Sequence, residues 1–388
     1  METLELMTIL AQGEDSQHQF KQIITRSESL AQEMVAFSNG MGGKIIVGVD
    51  DDGVIVGLSN EELRELNKLI ANVASGNVRP AINPTTQNIL TEFGLVVIIN
   101  IPAGINKPYQ DNKGDFWVKN GSDKRKSTSR EEIQRLFQTS GLLHGDESLA
   151  NGLTIADLDM DYFSAFFQRR YGEPLENQLV PLEQTIQNLN LGHEGMLNLT
   201  GALLFAKNPS IRLPAFIVKA GCLPGTDLTG ETYIDSRNIE GKIADIFQQT
   251  ISFILANIKQ IQGDQTINSV GMSEIPRIAL EEIIVNALVH RDYFISASIR
   301  VFVFDDRVEI ISPGHLLNNL TIENIKAGNS NTRNPILASF ANQILPYRGY
   351  GSGVIRAIAA YPSIDLIDDK EGNLFKAIFW RNKIKVTE

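Results

Sequence analysis

The apolar stretches of this 388-residue chain are no longer than a strand, LVVIINI at 95–101 being among the longest. A membrane-crossing helix needs about 20 apolar residues in a row, so no membrane span is expected. Between the strand-sized runs, apolar residues recur at helical spacing. In ESLAQEMVAFSNG, Leu30, Met34 and Phe37 share one face and Gly40 marks a stop. Strands interleaved with amphipathic helices specify an α/β (α+β) fold. The length suits two or three domains, and 43% hydrophobic with 21% charged residues is a globular balance. A single cysteine, Cys222, forbids an intramolecular disulfide and favours a reducing compartment. The first residues show no basic region followed by an apolar run, so no signal peptide is expected and the location is read as cytoplasmic.

Residues 1–140 read as one α/β domain. KIIVGVDDDGVIVGL looks like a hairpin turning at DDDG, 60–76 like a helix, 95–102 like a strand, and FWVKNG like a short strand ending in a turn. SREEIQRLF starts a helix with Ser129 as cap and Glu132 three residues on. The Gly- and Ser-rich stretch 141–152 reads as a linker. A mostly helical connector is expected over 153–262, with a strand at PAFIVKAG and a core helix in GKIADIFQQTISFILANIKQIQ. From 263 to 388 the order is again α/β. A helix in PRIALEEIIVNALVHRD has Pro276 suited to its first turn, and a hairpin follows in ASIRVFVFDDRVEIIS. A polar loop, a glycine-rich turn, a helix and final strands around LIDDKEGNLFKAIFW complete the chain.

A formal net charge of −11 argues against whole-surface attraction to nucleic acid. The segment from Lys113 to Arg135 runs against that sign, with seven basic residues to four acidic. Gly121 and Ser122, followed by Lys124, Arg125 and Lys126, suit phosphate contacts; a solvated loop is the plain alternative. Asn39, Gly40, Gly42 and Gly43 allow close backbone approach to a ligand or a neighbouring strand. Three blocks stand in order: GEDSQHQFK at 13–21, AFSNGMGGKIIVGVDDDGVIVGL at 36–58 and FWVKNGSDKRKSTSREEIQRL at 116–136. Together they resemble the Schlafen AlbA-type domain of bacterial regulators and animal Schlafen proteins. That resemblance implies DNA or RNA binding, with Lys21, Lys119, Lys124, Arg125, Lys126 and Arg130 as the contacting residues. In nuclease members the first block reads E-S-x-x-x-E-F-K, and its two glutamates join a later aspartate around a divalent metal. Glu14 and Lys21 match, and Asp50 or Asp51 stands for the third acid, but Gln19 occupies the second glutamate's place. A neutral amide binds a hard cation more weakly than a carboxylate does.

In the later helix, Glu282 and Asn286 lie four residues apart, on one face. An asparagine amid apolar neighbours needs a partner; a metal or phosphate would supply one, and so would a backbone group. RGYGSGVIRAI sets Gly349, Gly351 and Gly353 as a GxGxG turn before a helix, where backbone N–H groups suit an anionic phosphate. No GxxxxGK[ST] run occurs, so a P-loop helicase motor is not expected. The order of E-x-x-x-N helix, two strands, SPG turn, polar loop and GxGxG resembles the GHKL ATPases over roughly 270–385. In particular it is similar to the divergent version found after Schlafen AlbA-type domains in bacterial proteins labelled RecG-like helicases or ATP-binding regulators. The resemblance implies ATP and magnesium as cofactors. Asn286 would hold the metal against the phosphates, Glu282 would orient or deprotonate the attacking water, and the GxGxG turn would contact phosphate. Asn329 to Pro335 would form a lid, with Arg333 as a phosphate partner. GHKL proteins accept from the adenine amino group with the aspartate of a DxGxG turn; here IISPGHL puts Ser312 near that position.

The expectation is a nucleotide-responsive, nucleic-acid-binding regulator of the bacterial transcriptional type with slow ATP hydrolysis. A metal-dependent Schlafen-type nuclease is the alternative and a non-catalytic binding scaffold the second. Homo-oligomerisation stays open.

Overall fold

Ile45, Ile46 and Val47 follow one another on a strand, so their side chains leave opposite faces of the sheet, yet all three are fully buried. Such a strand needs cover on both sides. The computed structural model describes residues 3–140, 142–230, 232–261, 271–317 and 320–381, and the chain divides into two units, Met1–Leu143 and His144–Glu388.

In the first unit the cover comes from α1 (Thr3–Gln12) on one face and from α2 (Ser27–Asn39) and α3 (Asn60–Asn72) on the other. Leu6, Ile9 and Leu10 pack with Ile46, Val96 and Ile98, while Leu30, Met34 and Phe37 pack with Ile45, Val47, Val97 and Ile99. Each such side chain contributes roughly 1.5–3 kcal/mol by leaving water. Strands β1 (His18–Lys21), β2 (Gly42–Val47), β3 (Thr85–Thr91) and β4 (Gly94–Pro102) lie in the order β1-β2-β4-β3. The β1–β2 pair is parallel and the others antiparallel. A hairpin of β5 (Trp117–Asn120) and β6 (Asp123–Lys126) follows, turning at Gly121 with φ of 64°. It leads to α4 (Arg130–Thr139), where the Ser129 side chain accepts from Glu132 N as the capping spacing predicts.

KIIVGVDDDGVIVGL turns at DDDG as expected, with Gly53 N donating to Asp50 O, Val56 N donating to Gly48 O and Val49 bridging Ile55. The pairing is short because both edges of β2 are taken, by β1 and β4. The glycines of the GMGG run serve strand packing. A Cβ on Gly42 would lie 2.6 Å from Ala103 N, and one on Gly43 would lie 2.3 Å from the Phe37 ring.

In the second unit the stretch read as a linker carries a short 3₁₀ turn at Gly145–Glu147 and the start of β7 (Leu149–Thr154). The stretch read as a connector holds α5 (Met160–Tyr171), α6 (Leu182–Asn188) and α7 (Leu199–Phe205), and also β8 (Val218–Cys222) and β9 (Asp235–Ile239). The last two join β10 (Ile299–Val303), β11 (Arg307–Pro313), β12 (Ile364–Asp369) and β13 (Leu374–Trp380) in one six-stranded sheet ordered β9-β8-β10-β11-β13-β12. Middle and C-terminal stretches therefore share one core. The boundary expected at 262–263 lies outside the described residues.

Along β8 and β10, Val218, Ala220, Ile299 and Val301 are buried while Lys219 and Arg300 between them are exposed. That period of two marks a sheet covered on one face. The cover is α8 (Ile243–Asn257) and α9 (Arg277–His290), with α10 (Ile322–Lys326), α11 (Pro335–Ile344) and α12 (Gly353–Ala360) following. Among the described residues no helix is long and apolar enough to cross a membrane.

Candidate functional site

Helix α9 turns Leu280, Ile284 and Leu288 into the core. Its Glu282 and Asn286, one turn apart, line a cleft of about 1090 Å³, open mouth included. Ile283, Ala287, Ile310, Leu316 and Phe375 give the cleft apolar walls; Asn329, Ser330, Asn331 and the 348–353 turn give it polar ones. All three glycines of the expected GxGxG turn line it. Gly349 and Gly351 adopt φ of 73° and 70°, the left-handed region that a side chain disfavours. A Cβ on Gly351 would lie 2.2 Å from Gly328 O, and one on Gly353 would lie 2.8 Å from Glu282 Oε2 and 3.1 Å from Asn286 Nδ2. The glycines thus let the turn settle on both the 327–334 loop and α9. Helix α12 begins at Gly353 without a side-chain cap, which leaves its first N–H groups to other acceptors.

Glu282 is buried and ion-paired. Its Oε1 accepts from Arg356 Nε at 2.7 Å and Nη2 at 2.6 Å. Arg356, three residues beyond Gly353, escaped the sequence reading; its place one helical turn past the glycine turn was the available signal. Arg333, expected as a phosphate partner, lines the cleft, with Nη1 paired with Asp292 at 2.7 Å and Nη2 donating to His315 O at 2.5 Å. The expected lid is anchored at its far end, where buried Asn334 donates to the Val289 and Arg291 carbonyls and Pro335 opens α11. Ser312 also lines the cleft, its hydroxyl donating to Ala287 O at 3.2 Å. His290, at 3.2 Å from the Tyr347 hydroxyl, is pushed down to about 4 by burial, reinforced by the Arg333 charge, and is neutral at physiological pH.

The residues suit a nucleotide carrying its own metal. The uncapped α12 terminus and glycine turn form a cradle that side chains would fill, a fit for phosphate. Among the described residues no three His, Cys, Asp or Glu side chains converge to hold a metal. Magnesium is commonly bound by few protein groups plus substrate phosphates, and Asn286 Oδ1 with Glu282 nearby fits that mode.

In the first unit the candidate nucleic-acid residues separate into inner and outer sets. Lys119 is nearly buried: it donates to Gln19 Oε1 at 2.9 Å and to Ser122 O, lies 3.8 Å from Glu33, and sits over the Phe37 ring. Burial lowers its ammonium below the usual lysine value, with Glu33 opposing. Lys124 pairs with the same Glu33 at 2.8 Å. These two, both expected to contact nucleic acid, hold the β5–β6 hairpin against α2 as counter-charges to Glu33. Arg125 and Lys126 are exposed, though paired with Glu132 and with Asp115; Arg130 is exposed, and Lys21 is half-buried at 3.9 Å from Glu14. The Glu14 carboxylate accepts from Gln19 Nε2 at 2.5 Å and Phe20 N at 2.6 Å. Asp50 accepts from Val54 N at 2.8 Å within its own turn, and Asp51 is exposed.

Residues 14–128 match the family model described as "Schlafen, AlbA_2", and residues 296–369 match "Putative ATP-dependent DNA helicase recG C-terminal". The chain is thus an α+β protein with a stretch similar to Schlafen AlbA_2 domains followed by one similar to the C-terminal region of RecG-related helicases. The matches support nucleic-acid binding for the first and an ATP-related role for the second. Among solved structures, the DIP2311 protein of Corynebacterium diphtheriae is 19% identical over 98% of this chain and 69% of its own, at a TM-score of 0.45. The N-terminal domain of a RecG-related protein from Nitrosomonas europaea is 22% identical over 34% of this chain and 97% of its own, at a TM-score of 0.24. No curated protein matches the chain.

Proposed function

We propose that the C-terminal cleft binds ATP with magnesium and that the chain is a nucleotide-responsive, nucleic-acid-binding regulator with slow hydrolysis. The observation that carries this reading is the seating of Glu282 and Asn286 against the α12 N-terminus at Gly353. There Asn286 Oδ1 would hold the metal, which would offset phosphate charge, and the α12 N–H groups with the Gly349–Gly353 turn would bind the phosphates. Asn329, Ser330 and Asn331 close the polar side. Glu282 orients the attacking water. Ser312 replaces the expected aspartate: with its proton committed to Ala287 O, its oxygen keeps only lone pairs for a base amino group. Nucleic acid binds the first unit through exposed Arg125, Lys126 and Arg130, with Lys21 at the edge. Calorimetric titration of ATP with magnesium tests the reading, and absence of binding by the wild type refutes it. A binding scaffold without turnover is the second reading, favoured by the existing Glu282–Arg356 pair.

A further inference from the structure

Arg356 is built to hold two things at once. While Nε and Nη2 engage Glu282 Oε1, Nη1 donates to Ser352 Oγ at 2.8 Å, so one guanidinium ties the carboxylate of α9 to the glycine turn. The Arg356 side chain is 24% exposed and that of Glu282 11%, and both line the same cleft. An anion entering the cleft therefore has the cation within reach, at the α12 N-terminus that suits phosphate. Guanidinium and phosphate match in geometry as well as charge, and a terminal phosphate carries more charge than one carboxylate.

We propose that Arg356 is a phosphate-responsive positioning residue, which holds Glu282 when no nucleotide is bound and transfers to the terminal phosphate of a bound triphosphate. This inference rests on the nucleotide reading given above and adds what turns its chemistry on. With two N–H groups on Oε1, Glu282 has that oxygen engaged; transfer of Arg356 frees it. Water oxygen then bonds to the terminal phosphorus, whose bond to the bridging oxygen breaks. The bridging oxygen leaves with the electron pair as part of the diphosphate, and the water proton passes to Glu282. A diphosphate lacks the group that draws Arg356 away, so the pair persists in its presence.

The test is calorimetric titration of wild type, Arg356→Ala and Arg356→Lys with ATP and with ADP, magnesium present throughout. The alanine variant lowers the ratio of ATP to ADP affinity roughly tenfold or more, the scale of a charged hydrogen bond. The lysine variant, which keeps the charge, recovers part of that ratio. An unchanged ratio in Arg356→Ala, with wild-type binding intact, overturns the proposal and makes Arg356 structural. Wild type that binds neither nucleotide overturns the nucleotide reading itself, and this inference with it. Thermal melts of each variant confirm that the folded protein is being titrated; where the alanine variant fails to fold, Arg356→Gln carries the same comparison.

Discussion

Gly353 and Glu282 stand so close that no β-carbon fits between them: one added at 353 would lie 2.8 Å from Glu282 Oε2. The carboxylate has little freedom to yield, because Arg356 holds its other oxygen. Gly353→Ala therefore has to push α12 away from α9. The expected cost is about 1–3 kcal/mol of overpacking, together with loss of nucleotide binding. Thermal melts and titration of the variant check both, and a variant with wild-type melting and affinity would mean that the close approach is incidental.

His290 gives the second unit a pH dependence of known sign. Its folded value of about 4 lies below the unfolded 6.5, so the unfolded chain takes up the proton first. The stabilisation is complete above pH 6.5 and is lost as pH falls from 6.5 towards 4, by on the order of 3 kcal/mol. Urea unfolding of wild type and His290→Gln at pH 7.5, 6 and 5 should show the wild type losing more stability than the variant. Parallel pH curves would rule this contribution out.

The basic hairpin divides by burial. Replacing Arg125, Lys126 and Arg130 with alanine should flatten the log–log salt dependence of nucleic-acid affinity by about two units and weaken all sequences alike. Lys119→Ala instead lowers the melting temperature, since Lys119 and Lys124 both compensate the buried Glu33. Fluorescence anisotropy at three salt concentrations separates the two. An unchanged slope in the triple variant would make the exposed face a solvated loop.

Much of the fold was legible because local signals and final partners agree. Leu30, Met34 and Phe37 form one helical face ended at Gly40, and PRIALEEIIVNALVHRD became α9 directly after Pro276. The DDDG turn was legible but its short reach was not, because alternation along a strand does not say which strand will pair with it, and both edges of β2 are taken by distant partners. The same limit hid the sharing of one sheet by β8 and β10, nearly 80 residues apart in sequence. At the candidate site, Glu282, Asn286 and the three glycines could be read as a group from their spacing and order, and they line one cleft. What spacing could not convey was occupancy. Arg333 is as basic in sequence as any phosphate ligand, but Asp292, 41 positions earlier, already holds it. Nor could spacing show that Lys119, read as a nucleic-acid contact, is held by Gln19 and Glu33, far off in sequence.

Asn286 tests the central claim most directly. It faces the cleft beside Gly353, outside the Glu282–Arg356 pair, so its replacement removes the proposed oxygen ligand with little disturbance of the core. Isothermal titration with ATP should show wild-type binding that depends on magnesium, and Asn286→Ala should lose it while melting like the wild type. Wild-type protein that gives no binding heat at millimolar ATP and magnesium, or a variant that binds as tightly as the wild type, would contradict the account.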